Sequence, residues 1–134
     1  MAGSVTTLAG SSAGFADGMG SNAQFKNPYA VAVDVLDMVY VADSSNYRIR
    51  LVTSSGEEIK IQYILSHRYC SDSCGIVCVW IGMVSTLAGS VSGWVDGIGT
   101  AASFQNPNAI TVDSNLNIYV ADYIRVRWIT REGI

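Results

Sequence analysis

Short runs of apolar residues separated by polar turns recur along the chain. The segment from Val5 to Asp43 contains three of them, VTTLA, YAVAV and VYVA, and close copies of all three return between Val84 and Asp122. β-Branched and aromatic residues are common in these runs, which favours strands over helices. The residues between the runs are rich in glycine, asparagine, aspartate and proline, which are typical of turns. The pattern therefore predicts two copies of one β-rich unit.

Each unit is predicted to contain four short strands. In the first unit they are Val5–Ala9, Tyr29–Asp34, Val39–Ala42 and a strand around residues 47–51. The second and third runs are apolar at odd and even positions alike, which predicts burial on both faces. Only the last strand alternates, with Arg48 and Arg50 on the side opposite Ile49, so we expect it to lie further from the core.

The repeated blocks resemble a known family. A.F..P.AVAVD....VYVAD..N.RIR in the first copy and A.F.NP.AITVD...NIYVAD...RVR in the second are similar to NHL repeats, over roughly residues 5–56 and 84–133. The resemblance implies an all-β fold of β-propeller blades, with two four-stranded antiparallel repeats in an incomplete ring. Relatives build six-bladed propellers, often used for protein binding and in some branches for RNA binding or enzymatic work. The second copy lacks two residues after Asp122, so a tighter turn is expected there.

The order of the strands predicts that the ring is incomplete. In propellers of this kind the TLAG strand is the outermost strand of the preceding blade. Val5–Ala9 is then an orphan outer strand, Val84–Ala88 completes the first blade, and the last blade lacks its outer strand. Two hypotheses remain open: the chain is part of a longer gene product, or three copies associate head to tail as a homotrimer that completes six blades.

One segment belongs to neither repeat. The predicted organisation is repeat 1 over residues 1–56, an insert over residues 57–83 and repeat 2 over residues 84–134. The insert is either a lineage-specific loop or a retained intron, and we expect the fold to form without it. Its ligand-type residues are spaced H-x2-C-x3-C-x3-C, which differs from the C-x2-C pairs of zinc sites, so no metal is predicted. They are His67, Cys70, Cys74 and Cys78.

Acidic and basic residues recur in register in the two repeats. They are predicted to form structural charge pairs or turn caps between blades, because catalysis would not need one set in each blade. The set comprises Asp34, Asp43, Arg48, Arg50, Asp113, Asp122, Arg125 and Arg127.

The glycine-rich loops supply the binding candidates, Phe15 with Asp17 and Trp94 with Asp96. Each aromatic residue either pins its loop or presents a contact to a partner, since aromatic anchors are favoured at interfaces. One aspartate in each loop supplies too few oxygens for calcium, which favours turn chemistry for both acids.

Composition excludes several classes of function. Charged residues make up 14% of the chain and the net charge is -3, so no basic face for nucleic acid is expected. No apolar run approaches the roughly 18 residues that cross a membrane. The single histidine lies in the insert, and no catalytic residue or cofactor is predicted. The sequence favours a non-enzymatic scaffold that binds protein; the alternative is part of a propeller hydrolase or lyase with its catalytic residues elsewhere. The compartment is not indicated.

Overall fold

A computed structural model describes residues 2–53 and 82–130, which form two antiparallel sheets. In these ranges the strands are β1 (Gly18–Met19), β2 (Pro28–Val33), β3 (Met38–Asp43), β4 (Arg48–Thr53), β5 (Met83–Ala88), β6 (Pro107–Val112), β7 (Ile118–Asp122) and β8 (Arg125–Ile129). Short 3-10 turns span Gly20–Asn22, Ser44–Asn46 and Gly99–Ala101. None of the helical turns in the described ranges has the length and apolar character needed to cross a bilayer.

The strand order confirms the all-β fold with blade-like sheets. Sheet 1 has the order β1-β5-β4-β3-β2, and sheet 2 has the order β6-β7-β8. The second TLAG segment is β5, which pairs with β4 as the fourth strand of the blade, as the repeat pattern predicts, and the two-residue β1 lies along its outer edge. Sheet 2 stops at β8 in the described part of the chain. The turn between β7 and β8 holds only Tyr123 and Ile124, which confirms the tighter connection expected there.

The predicted strand Val5–Ala9 is wrong. These residues form no strand, and Val5 is 96% exposed. The same sequence type is a strand in β5, where β4 and β1 lie on either side of it. The described chain brings no neighbouring strand to Val5–Ala9, and a strand without a neighbour leaves its backbone hydrogen bonds unmade. Only its end is fixed, because Gly10 N donates to Gly20 O at 3.0 Å.

Burial corrects two further predictions. The strand expected to lie away from the core, β4, is among the most buried, with Ile49 and Arg50 both 0% exposed. It is buried because β5 covers its outer edge and because hydrogen bonds satisfy both NH2 groups of Arg50, although its Nε has no partner. In contrast, β2 is not buried on both faces, since Tyr29 and Val31 are exposed. It is the edge strand of sheet 1, and only one of its faces packs on neighbouring residues.

The two sheets pack face to face, with β2 and β3 of sheet 1 against β6 of sheet 2. One face of β3 contributes Met38, Tyr40 and Ala42 to a core shared with sheet 2, whereas the other face contributes Val41 to a second cluster. Burial of both faces of β3 therefore confirms the prediction from its continuous apolar run. The shared core also contains Ile49, Ala88, Phe104, Ile118 and Val120, and the second cluster contains Ala23, Val52 and Val84.

A close backbone approach explains the glycine that ends the TLAG motif. Gly89 has a φ of +92°, and a Cβ built on it would lie 2.3 Å from Tyr47 O. Any side chain here would collide with the turn between β3 and β4. Gly89 thus lets the outer strand of sheet 1 pass directly into the loop of the second repeat.

Strand β5 begins at Met83, the last residue of the predicted insert. Gly82 N donates to Thr53 O at 2.6 Å. The rest of the insert, with His67, Cys70, Cys74 and Cys78, lies outside the described residues. Thr53 and Gly82 close the connection from β4 to β5 without it.

Replacing residues 54–81 with a turn of about four residues should preserve the fold. Shortening the loop lowers its closure entropy cost by about 1–2 kcal/mol, so the midpoint of thermal unfolding should hold or rise. A glycine-serine linker of the original length is the matched control, and it should fold with the lower midpoint of the two. Loss of soluble protein in both variants would contradict the prediction.

Candidate functional site

Arg50 forms the centre of a buried polar network beneath the loop of repeat 1. Its Nη1 donates to Asp43 Oδ2 at 2.8 Å and to Gln24 O at 3.1 Å. Its Nη2 donates to Asp17 Oδ1 at 2.6 Å and to Ala16 O at 2.8 Å. The side chains of Arg50 and Asp43 are both 0% exposed. A charge can be buried so deeply only when it is paired and hydrogen-bonded, and this network supplies both conditions.

The two acids extend the network to other elements. Asp43 Oδ1 accepts from Lys26 N at 2.7 Å, and its Oδ2 accepts from Asn46 Nδ2 at 2.8 Å. Asp17 accepts from Thr86 N at 3.3 Å and from Thr86 Oγ1 at 3.1 Å. One cluster therefore joins the loop of repeat 1, the turn after β3 and the outer strand β5.

Repeat 2 contains the same network in a more open form. Arg127 Nη1 donates to Asp122 Oδ2 at 3.3 Å, and its Nη2 donates to Asp96 Oδ1 at 2.6 Å. The Asp96 side chain is 92% exposed, against 48% for Asp17. The difference arises because β5 covers Asp17, whereas no described strand covers Asp96.

These contacts place the predicted residues within each repeat rather than between blades. Asp43 with Arg50 and Asp122 with Arg127 are ion pairs. Asp17 and Asp96, selected as binding candidates, are instead second acidic partners of the same arginines. The expectation of pairs between blades is corrected, because each arginine reaches acids on its own sheet and its own loop.

Asp34 and Asp113 are not paired with arginine in the described part of the chain. Asp34 Oδ1 accepts from Leu36 N at 2.8 Å and from Met38 N at 3.0 Å, and its Oδ2 accepts from Tyr40 OH at 2.8 Å. The hairpin turn leaves backbone N–H groups unpaired, and the aspartate before the turn is their nearest acceptor. Burial and the bond to Asp34 raise the pKa of Tyr40. Of the two predicted roles, turn cap is the one this geometry fits.

Asp113 caps the equivalent turn of sheet 2. Its carboxylate accepts from Asn117 Nδ2 at 2.9 Å, from Asn117 N at 2.8 Å and from Asn115 N at 2.9 Å. These bonds, led by the Asn117 side chain, lower the pKa of Asp113. The turn is thus held by a carboxylate that is stabilised in its ionised form.

Arg48 and Arg125 form no ion pair in residues 2–53 and 82–130, which corrects their predicted role. The Arg48 guanidinium lies 3.9 Å from the ring centroid of Phe15, and that of Arg125 lies 5.0 Å from the centroid of Trp94. Asp43 faces Arg48 in the strand register, but its oxygens are already used by Arg50 and neighbouring donors. A guanidinium over an aromatic face is the remaining favourable arrangement.

Trp94, Tyr123 and Arg125 form an exposed group that we call the Trp94 cluster. The rings of Trp94 and Tyr123 stack with centroids 6.5 Å apart and an interplanar angle of 25°. All three residues are exposed. Phe15 differs, because guanidinium groups from both Arg48 and Arg50 lie over its ring.

Tyr123 was missed from the sequence. The sequence feature that could have indicated it is the shortened turn after Asp122. In this turn Tyr123 has a left-handed backbone conformation, with a φ of 56°, and lies beside the loop of repeat 2. A deletion in one repeat moves a side chain to a new position, and the resulting ring contact requires coordinates.

No group of three or more histidine, cysteine, aspartate or glutamate side chains that could hold a metal ion occurs among residues 2–53 and 82–130. Apart from Asp37, the acids found there accept hydrogen bonds from arginines or from backbone donors. The cysteines and the histidine of the insert lie outside these ranges.

Comparison with known proteins shows that this chain is similar in structure to parts of solved proteins. No protein-family model and no curated protein matches the chain. A Bacteroides thetaiotaomicron protein of unknown function superposes with a TM-score of 0.59 and 25% identity over 86% of this chain. An auxiliary nutrient binding protein from the same organism superposes with a TM-score of 0.61 and 20% identity over 90% of this chain. The chain spans 24% and 28% of the lengths of these two proteins.

Replacing Arg50 with alanine should strongly destabilise the protein. The change leaves the Asp43 carboxylate buried without its counter-ion, which costs about 3–5 kcal/mol in the free energy of unfolding. Arg50→Lys should recover only part, because one ammonium cannot replace both planar NH2 donors. Arg127→Ala is the comparison variant: Asp122 is as buried as Asp43, but it lies 3.3 Å from its arginine rather than 2.8 Å and that arginine is 10% exposed, so the loss should be smaller. Urea unfolding measures all three, and equal losses at both arginines would contradict the role given to burial.

The Asp113 carboxyl should titrate below its ordinary pKa in an NMR pH titration. Asn117→Ala removes the leading cause and should raise the midpoint, whereas Ser114→Ala, an exposed change in the same turn, should not. Because the folded-state pKa is lowered, the contribution of Asp113 to stability is complete above its unfolded pKa and is lost as the pH falls through the folded value. An unchanged midpoint in Asn117→Ala would contradict this assignment.

Proposed function

We propose that this chain is a non-enzymatic interaction module built from NHL-type β-propeller repeats, and that it binds a protein partner through the Trp94 cluster. Support for the propeller comes from the repeated blade-like sheets packed face to face and from the glycine that passes the chain from one sheet to the next. The similarity to the two Bacteroides proteins is consistent with blade-like sheets.

The Trp94 cluster carries the proposal for binding. Tryptophan, tyrosine and arginine are the residue types that contribute most often to binding energy at protein interfaces, and here they stand together in an exposed position. The stack with Trp94 restrains the Tyr123 ring, so less side-chain entropy is lost when a partner binds. The Arg125 guanidinium lies over Trp94 and makes a long 3.5 Å hydrogen bond to Trp94 O, but no acid pairs with it in the described chain, so it can still bind a carboxylate of the partner.

The chemistry of the cluster indicates the kind of partner. A flat aromatic pair favours an apolar or aromatic side chain, and the adjacent guanidinium favours an acidic group. The proposed ligand is therefore a protein segment in which an acidic residue neighbours an apolar one.

The remaining ionic residues are explained by folding. The Arg50 and Arg127 networks repeat at equivalent positions, and each of their acids holds a loop or a turn. Residues used in this way in both repeats need no catalytic role. This favours the interaction module over an enzyme.

Selection of a phage-displayed random peptide library on the purified chain tests the proposed function. Enriched peptides should pair an acidic residue with an apolar one. Trp94→Ala should weaken their binding on the order of tenfold or more, as expected for the loss of an interface anchor. Phe15→Ala, at the matching position of repeat 1, is the control and should leave binding unchanged. Failure to enrich any peptide, or equal binding by Trp94→Ala, would overturn the proposal.

A further inference from the structure

A groove of about 370 Å³ lies beside the outer edge of β8. Residues 126–130 form one wall, and residues 96–99 of the second loop form the other. Its floor is largely apolar and consists of Leu87, Ala88, Ala102 and Phe104. The wall formed by β8 is the edge of sheet 2 at which the described chain supplies no further strand.

The equivalent position in sheet 1 is filled. There β5 lies between β4 and β1, with Val84 opposite Val52 on one side and opposite Gly18 on the other. In repeat 2, Ile129 and Gly97 occupy the places of Val52 and Gly18. The groove is therefore the position of an outer strand, open on sheet 2 and occupied on sheet 1.

A polar contact in sheet 1 shows what such a strand provides. Thr86 of β5 donates through its backbone N and its hydroxyl to Asp17. Asp96 is the equivalent acid at the groove, and its side chain is 92% exposed. Asp96 is thus positioned to accept the same two bonds from a threonine.

One segment of the chain has the required sequence and no strand partner. Val5–Gly10 reads VTTLAG, whereas β5 with its following glycine reads VSTLAG. Thr7 stands at the place of Thr86, and the residues around it are exposed. The segment is a second copy of the strand that fills the groove of sheet 1.

The segment cannot reach the groove of its own chain. Gly10 is fixed to Gly20 O, and Ala9 packs against the cluster on the face of sheet 1 that points away from sheet 2. Sheet 1 therefore stands between Val5–Ala9 and the groove beside β8. A copy of this segment that fills the groove therefore belongs to a second molecule.

We propose that residues 5–9 of a second copy of this chain enter the groove as the fourth, antiparallel strand of sheet 2. The register of sheet 1 places Val5 opposite Ile129, Thr6 opposite Trp128 and Thr7 opposite Arg127. Thr7 then donates to Asp96 of the neighbour. Addition of a strand to an open sheet edge is a general mode of protein recognition.

An exposed apolar face supports the same partner. Val126 and Trp128 are 77% and 62% exposed, yet their counterparts Ile49 and Leu51 pack in the core between the two sheets. A second copy that donates its strand can pack one face of its sheet 1 against Val126 and Trp128. That face is the one that points away from its own sheet 2, so the new contact repeats the contact between sheets 1 and 2 within one chain. Such a head-to-tail contact closes when three copies each turn by about 120°. This closure, unlike the strand pairing, rests on the proposed propeller arrangement.

Disulfide cross-linking between two different single-cysteine chains tests the pairing. In a background with Cys70, Cys74 and Cys78 changed to serine, a Val5→Cys chain is mixed with an Ile129→Cys chain and oxidised. The expected product is a covalent heterodimer. Trp128→Cys is the control, because its side chain points to the opposite face of β8 and should cross-link far less. No heterodimer, or an equal yield with Trp128→Cys, overturns the proposal.

Light scattering on the unmodified chain gives a second, independent measurement. The expected mass is about three times 14.3 kDa. Thr7→Pro removes the donor N–H and should shift the mass to that of one chain, whereas Ser4→Pro, outside the segment, should not. A folded monomer in the unmodified chain overturns the proposal. The Trp94 cluster lies outside the segment, so the Thr7→Pro variant should still bind the selected peptides. Failure of the strand pairing and failure of the proposed function can therefore be told apart.

Discussion

The buried guanidinium of Arg50 is the interaction on which the arrangement of repeat 1 depends. Its charge has no access to water, so the structure must bring acceptors to both of its NH2 groups, while Nε is left without a partner. Those acceptors come from the end of β3 and from the loop that precedes β2. One of them, Asp17, also accepts a hydrogen bond from Thr86 and so links the network to β5. Hydrogen bonds to this one side chain therefore fix the relative positions of chain segments that are distant in sequence. The loop is long and rich in glycine, yet this requirement gives it a defined position.

The two copies of the TLAG segment show how far a strand depends on its neighbours. Val84–Ala88 and Val5–Ala9 are almost identical in sequence, but only the first has a sheet edge beside it and only the first is a strand. β-Propensity acts mainly through packing and cross-strand contacts, so the same residues adopt different conformations when the neighbour is present or missing. Asp96 is exposed because no described strand lies beside it, whereas β5 covers the equivalent Asp17 in repeat 1.

Most of the fold follows from the repeat, whereas most of the site does not. The duplicated apolar runs predict the all-β class, the hairpins and the place of β5 as the outer strand. They do not predict that Arg50 is buried and Arg48 is not, because both alternate with apolar residues in the same strand. Which of the two arginines is buried depends on the register between β3 and β4 and on which of them bonds to the oxygens of Asp43. The turn-capping roles of Asp34 and Asp113 likewise depend on local backbone donors that a charge pattern does not reveal.

The differences between the repeats carry the information about function. Networks present in both copies, such as those of Arg50 and Arg127, are accounted for by the stability of each unit. The aromatic positions differ: Phe15 lies under two guanidinium groups, whereas Trp94 stacks with a tyrosine that only the shortened turn brings near. A feature found in one repeat and exposed to solvent is not required by the fold that both repeats share. The stack of Tyr123 on Trp94 is such a feature, and the partner recognition proposed for the Trp94 cluster would give its exposed aromatic surface a physical reason.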